Sequence, residues 1–388
     1  MVYVPQGAFY AGDGNSSSEY RFKQGSADDN PWYIQNENAI TTGNAASGGY
    51  YYQSTGANGE NSSGNPFLVP ASFPKGYAPF YVMKYELTEG EWVGFFNTLS
   101  PQAKANRDIT AADLGGKNSN STVNRNTISW DPSKPSSKAT TARPSRPVSY
   151  VSWPDVAAYA AWAGLRPMTE LEYEKAARGK DIMPVTDEFA WGATSYTVAG
   201  SADIFPANSD EDGTETIANS AANLSRNALG YSSGDGRASG PAANQAGPLR
   251  VGVFAATSTN RISAGAGFYG NMELSGNLAE PVVTLGRIQG RQFLGTHGTG
   301  RLTTLTGYEG NAPNTDWPGI DTANANRGVR TTVGIGYRGG DFASSNLRAF
   351  QLSSRTYAAK DPDSQGYYQR YDANSGVFQG GRLSRTAP

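Results

Sequence analysis

Residues 150–179, YVSWPDVAAYAAWAGLRPMTELEYEKAARG, constrain the fold more than any other stretch, because two helix signals stand there almost back to back. In the first, Ser152 is placed to cap, Pro154 is tolerated in the first turn, and Val156, Tyr159, Ala160 and Ala163 line one side until Gly164 stops the helix. Its small residues permit close packing. In the second, Thr169 and Glu172 form a capping box, Glu174 and Arg178 are an i, i+4 pair, and Gly179 supplies a left-handed exit. Tyr173, Ala176 and Ala177 form its packed face. A third helix is predicted in KYELTEGEWVGFFNTLS, where Thr88 and Glu91 make another capping box and Trp92, Phe95, Phe96 and Leu99 recur on one apolar face.

These helices sit in a chain of 388 residues with 47 glycines and no cysteine. The hydrophobic share is 37% and the charged share 17%, below the roughly 25% charged of an average soluble domain. With 22 Tyr, 15 Phe and 7 Trp there is ample apolar area to offset chain entropy, so the composition describes many ordered turns on a packed scaffold. Residues 13–76, 100–142 and 195–245 are long polar inserts without lasting periodicity. Either they are disordered, or their Tyr and Trp residues pin them to the scaffold or to a neighbouring molecule. FYVMKYE at 80–86 and RVGVFA at 250–255 read as strands, giving an α+β class with few helices and many short strands.

The charge balance, 32 basic against 34 acidic residues for a net −2, and the lack of a basic run argue against nucleic acid as a partner. No apolar run reaches the ~18–20 residues of a membrane span. Without cysteine there are no disulfides, thiolate metal sites or thiol nucleophiles, and the single histidine, His297 in GTHGTG, reads as a turn residue. Glu170, Glu172 and Glu174 are candidate acid/base carboxylates, but capping, complementing the helix dipole and surface ion pairing account for each of them.

Taken in order, MVYVPQGAFYAG, FYVMKYELTEGEWVGFF, the 146–179 block, EFAWGA, GFYGNMELSGNLAE and YRGGDFASSNLRAFQLSSR resemble the formylglycine-generating enzyme, or sulfatase-modifying-factor, family. GGRLSRT resembles that family's closing strand, so the resemblance covers nearly the whole chain and implies one domain over 1–388, interrupted by the inserts. The implied fold is an elaborated C-type lectin arrangement, low in regular secondary structure. The helix after the Arg-Pro turn is then an architectural post beside the groove. Because Met1 coincides with the family's strand start, a leader is expected outside this numbering.

The catalytic members of that family use two cysteines beyond the Arg-Gly-Gly strand to bind copper. Here Ser344 and Ala349 fall near those positions, and a serine hydroxyl is a hard ligand with no useful affinity for copper(I). Sulfoxide-forming relatives need a multi-histidine iron site that one histidine cannot build. The implied chain is a non-enzyme without copper or iron. The resemblance further implies structural calcium at two places: Asn223 with the Leu224 carbonyl and Asp235 with the Arg237 carbonyl, and then Asn277, Glu280 and the Ser275 carbonyl. At the second place Ala279 and Pro281 stand where the family carries an aromatic. Asn208, Asp210, Asp212 and Gly213 fit the first half of an EF-type loop, but Asn219 replaces its closing glutamate, so a solvated acidic loop is the better reading.

Three functions follow as expectations. One is a secreted or cell-surface structural protein that assembles with itself or other surface proteins through its inserts. Another is a lectin-like receptor for proteins or glycans with a patch at 345–376. The last is a divergent enzyme in which Asp341, Arg348 and Arg355 line the old groove and Glu170, Glu172 or Asp155 supplies acid chemistry.

Overall fold

A computed structural model of the chain describes residues 1–14, 20–24, 30–43, 49–52, 67–112, 116–199, 217, 219–225, 247–256, 258–344, 346–358 and 378–388. The N-terminal segment breaks at Pro5 into strands β1 (Val2–Val4) and β2 (Phe9–Ala11). β3 (Phe22–Gln24), β4 (Trp32–Ile34), β5 (Ile40–Thr41), β6 (Tyr50–Tyr52) and β7 (Leu68–Val69) follow, and β2/β4, β3/β6 and β5/β7 pair as three antiparallel ribbons. The first insert is therefore ordered wherever it is described. Its aromatics hold it down: Trp32 is buried against Phe22 and Tyr50, and its indole N–H donates to the Lys23 carbonyl at 2.8 Å.

β8 (Phe80–Val82) follows the first insert. It leads into α1 (Glu89–Phe96), whose Thr88/Glu91 capping box forms as predicted, with Trp92, Phe95 and Phe96 buried. α2 (Pro101–Asn106) is a short helix inside the second insert, capped by the Ser100 hydroxyl. α3 (Trp153–Ala163) has Asp155 completing a capping box with Ser152, and Gly164 ends it at φ +67. β9 (Arg166–Pro167) links it to α4 (Glu170–Arg178), which starts on the expected Thr169/Glu172 box. Gly179 leaves α4 at φ +100, ψ 176, so its exit is extended rather than a left-handed helical cap.

RVGVFA is not a strand. Gly252 takes φ +71 against the Tyr85 ring, and Val253–Ala256 turns into a 3-10 helix, because the Gly252 N–H is drawn to the Glu273 carboxylate at 2.7 Å. Beyond it come β10 (Glu280–Val283), α5 (Ile288–Arg291), β11 (Ile335–Arg338) and β12 (Leu383–Thr386). β10 and β11 pair antiparallel, Glu280 opposite Arg338. The largest sheet runs β1-β8-β12-β9, so the closing strand lies between β8 and β9 and the two ends of the chain share one sheet. One apolar cluster gathers residues from Phe9 to Leu383, centred on α1 and α3 with Trp92, Trp153 and Trp317. A smaller one joins β1, β8, β10 and the Tyr173, Ala176, Ala177 face of α4. Among the described residues no helix is long and apolar enough to cross a membrane.

Candidate functional site

Every residue of α4 is buried, polar ones included. This corrects the expectation of surface ion pairing. β2 and β10 pack on the helix, so its glutamates face partners in the interior instead of water. Glu170, Glu174 and Arg178 follow one another at i+4 steps. Glu170 receives Arg355 at 2.7 and 2.9 Å and Arg338 at 3.2 Å, together with the Leu285 N–H at 2.6 Å. Arg338 reaches on to Glu174 at 2.6 Å and to the Leu352 carbonyl at 2.7 Å. Arg178 joins Glu174 at 3.1 Å to Glu188 at 2.6 Å, and the Gly12 N–H closes on Glu174 at 2.6 Å. Beyond this ladder, Arg21 pairs Asp13 at 2.5 Å and Asp187 at 2.8 Å. Glu172 is turned the other way, capping Thr169 and taking both terminal nitrogens of Arg166 at 2.9 and 2.5 Å.

A general acid needs its carboxyl to hold a proton near neutral pH. Burial alone would push Glu174 that way, but the Arg338 and Arg178 guanidiniums hold it below the ordinary carboxylate range. Glu170 lies between two guanidiniums. Asp155 is spent on the α3 cap and on Arg107 at 2.7 Å. The ladder is a clamp. It ties α4 to β2, β11 and the 350–355 segment.

The three residues expected around the old groove differ in setting. Arg355 is buried on Glu170, Arg348 is exposed, and Asp341 is buried, accepting the Ala343 N–H at 2.8 Å and the Ser344 hydroxyl at 2.8 Å. Ala349 is buried in the 3-10 turn Leu347–Phe350. His297 accepts the Thr386 N–H through Nε2 at 3.0 Å, tying its turn to β12. Burial, with Arg166 and Arg385 nearby, lowers its pKa.

The expected calcium ligands divide. Asp235, Arg237 and the Asn208–Gly213 loop lie outside the described residues. Asn223 is engaged at both ends, accepting the Thr197 N–H at 2.9 Å and donating to the Ile262 carbonyl at 3.0 Å, while the Leu224 carbonyl accepts Ala199 N–H at 3.0 Å. In the second set the Ser275 hydroxyl donates to the Phe350 carbonyl at 2.7 Å. The Asn277 amide is used as well: its oxygen accepts the Leu249 N–H at 2.8 Å and its nitrogen donates to Glu86 at 2.6 Å. Asn277 acts as a bracket, held at φ +69.

Glu280 keeps its place. One oxygen binds Arg382 at 2.7 Å, and the other, Oε2, is buried without a hydrogen-bond partner. Glu273 shows the same division, with Oε1 on the Gly252 N–H and Oε2 buried without a partner. Glu86 completes a cluster of three carboxylates around the guanidinium of Arg382, which also donates to the Met83, Lys84 and Met272 carbonyls at 2.8, 3.0 and 2.6 Å, and Arg250 adds a smaller pull on Glu273. Burial, reinforced by mutual repulsion, raises Glu86 well above its ordinary range, and burial pushes Glu273 up to about 7 and raises Glu280 against the pull of Arg382. Calcium fits in part. Glu273 and Glu280 would hold it through their spare oxygens, and its charge would answer the surplus of carboxylates. Among the described residues no three His, Asp or Glu side chains converge as a metal-ligand set, so the six to eight oxygens calcium prefers would have to include carbonyls or water. The sequence reading missed Glu86 and Glu273. The Glu at 273, four residues before Asn277 in the same loop, was the available signal.

The comparisons agree with this framework. The formylglycine-generating enzyme of Thermomonospora curvata is 50% identical over 50 residues, 13% of this chain and 16% of that protein. That of Streptomyces coelicolor is 52% identical over 52 residues, again 13% and 16%. The chain thus covers only 16% of the length of these curated relatives. A family model, the sulfatase-modifying factor enzyme 1-like domain, matches residues 1–236, more than half of the sequence, and the chain belongs to that family.

Proposed function

We propose that this chain is a non-catalytic member of its family, a structural protein of the cell surface or secreted space that associates with copies of itself through its inserts. The observation that carries the reading is the missing sulfur: the chain contains no cysteine, Ser344 stands in a hydrogen bond to Asp341, and Ala349 has no donor atom. Neither side chain can hold a soft copper ion. What remains intact is architecture, the capped helices, the α4 clamp and the closing strand in the largest sheet. The adjacency of the chain ends and the short elements support an elaborated C-type lectin arrangement as part of this proposal. Calcium, in this reading, is a structural ion at Glu273 and Glu280.

Assembly draws support from the first insert, whose strand β4 pairs with β2 of the framework and stacks Tyr33 on Tyr10 at 4.5 Å. Aromatic side chains on polar loops make contact anchors at low entropic cost. Sedimentation velocity over rising protein concentration, with calcium present, tests it: growing species are expected, and a monomer throughout contradicts assembly. For the receptor reading, residue 345 and residues 359–376 of the 345–376 patch lie outside the described residues.

A further inference from the structure

The region beyond residue 236, where the family model does not reach, holds a cavity of about 670 Å³ between α5 and the 315–333 loops. That volume suits a small-molecule ligand, for which ~300–1,000 Å³ is usual. The cavity is built, not left over. Two buried tryptophans fasten its floor, Trp153 donating its indole N–H to the Pro318 carbonyl at 2.9 Å and Trp317 to the Thr296 carbonyl at 3.0 Å. The Gly319 carbonyl accepts the Arg330 and Thr331 N–H groups at 2.8 and 3.1 Å, and a Cβ at Gly319, which sits at φ +80, would collide with the Thr331 carbonyl. The two loops are therefore locked face to face before any ligand arrives.

The charges around this cavity are already answered. Asp321 takes Arg330 at 2.9 Å and Arg327 at 3.4 Å, and Arg330 also stacks on Tyr308, 4.8 Å from the ring centroid. Asp316 accepts the Thr296 hydroxyl at 2.5 Å and the Leu294 N–H at 3.1 Å. An anionic ligand would find the lining guanidinium already taken, since Arg330 is paired with Asp321. Two carboxylates against one guanidinium in the lining disfavour phosphate in particular. What the wall offers is neutral: the exposed amide of Gln292 and hydroxyl of Thr322, further acceptor sites on Asp316, and apolar surface at Leu294 and Ile320.

We propose that this cavity binds a neutral saccharide, whose hydroxyls pair with Gln292, Thr322 and Asp316 while a C–H face lies on Leu294 and Ile320. The proposal does not rest on the assembly reading, and either can fail alone. Saturation-transfer NMR with neutral disaccharides and a soluble neutral polysaccharide, set against glucuronic acid and a sugar phosphate, tests it. At least one neutral sugar is expected to bind at millimolar concentration, free or in polymer form, and more tightly than the charged comparators. Gln292→Ala and Thr322→Ala, both at exposed positions, should each weaken binding about tenfold, the equivalent of one hydrogen bond, with unchanged unfolding midpoints. No binding by any neutral member, equal or better binding of a charged sugar, or affinity untouched by both substitutions overturns the proposal.

Discussion

Two buried charge clusters differ in their arithmetic. Along α4, Glu170, Glu174 and Glu188 are met by Arg178, Arg338 and Arg355, three carboxylates against three guanidiniums. Around the 271–280 loop, Glu86, Glu273 and Glu280 crowd the guanidinium of Arg382, with a smaller pull from Arg250 on Glu273, three carboxylates against two guanidiniums. A balanced buried network is fixed: neither protons nor ions within the ordinary range change it. An unbalanced one must recruit a proton or a cation, so it stays responsive to the medium. The same fold thus contains a rigid post and a tunable joint.

The largest expected effect breaks the balanced side. Glu170→Ala leaves Arg338 and Arg355 without their shared carboxylate and should cost roughly 3–5 kcal/mol, read as a fall in the urea midpoint. A loss near that of a surface substitution would show that the ladder is not what fastens α4. Next, the unbalanced side should respond to pH. Because the folded pKa of Glu273 is raised, its contribution is fully present below the unfolded value near 4.5 and is lost as pH rises through about 7. Glu273 alone should therefore lower stability by roughly 3 kcal/mol from pH 5 to pH 8 in chelator, and Glu273→Gln should remove that share of the slope while leaving the share of Glu86 and Glu280, which are raised as well. The comparison with the variant matters because the lowered pKa of His297 works in the opposite direction over part of this range.

Calcium should offset the same loss. At a concentration 100-fold above Kd it would add about 2.7 kcal/mol to the wild type and much less to Glu280→Gln. Identical thermal midpoints in chelator and in calcium, at pH 8, would remove the ion from the account. The smallest effect lies outside both clusters. Thr88→Ala should destabilise by about 1 kcal/mol through the α1 cap alone, with no change in pH slope.

What was legible in the sequence was what is local. Thr88 with Glu91 and Thr169 with Glu172 are three residues apart, and both boxes formed. The order of the motif blocks led to the family. The burial of α4 was not legible, since Glu174 and Arg178 at i, i+4 look the same on an exposed helix and the partners Arg338 and Arg355 lie over 150 residues away. The unbalanced joint was hidden for the same reason: Glu86 and Arg382 come from opposite ends of the chain, and only folding brings them onto the 271–280 loop. That the Asn277 amide bridges Leu249 and Glu86 was not legible, because the motif SGNLAE does not tell which partners an amide finds in the fold. α2 escaped because Ser100 and Pro101 open it inside a polar stretch with no apolar period.

The central claim is that the framework persists after its oxidase chemistry has gone. Dioxygen uptake by the pure protein supplied with copper(I) and a cysteine-containing peptide tests this most directly. The account expects no uptake above the copper-only control, whereas peptide-dependent uptake that disappears when copper is stripped from the protein would contradict it.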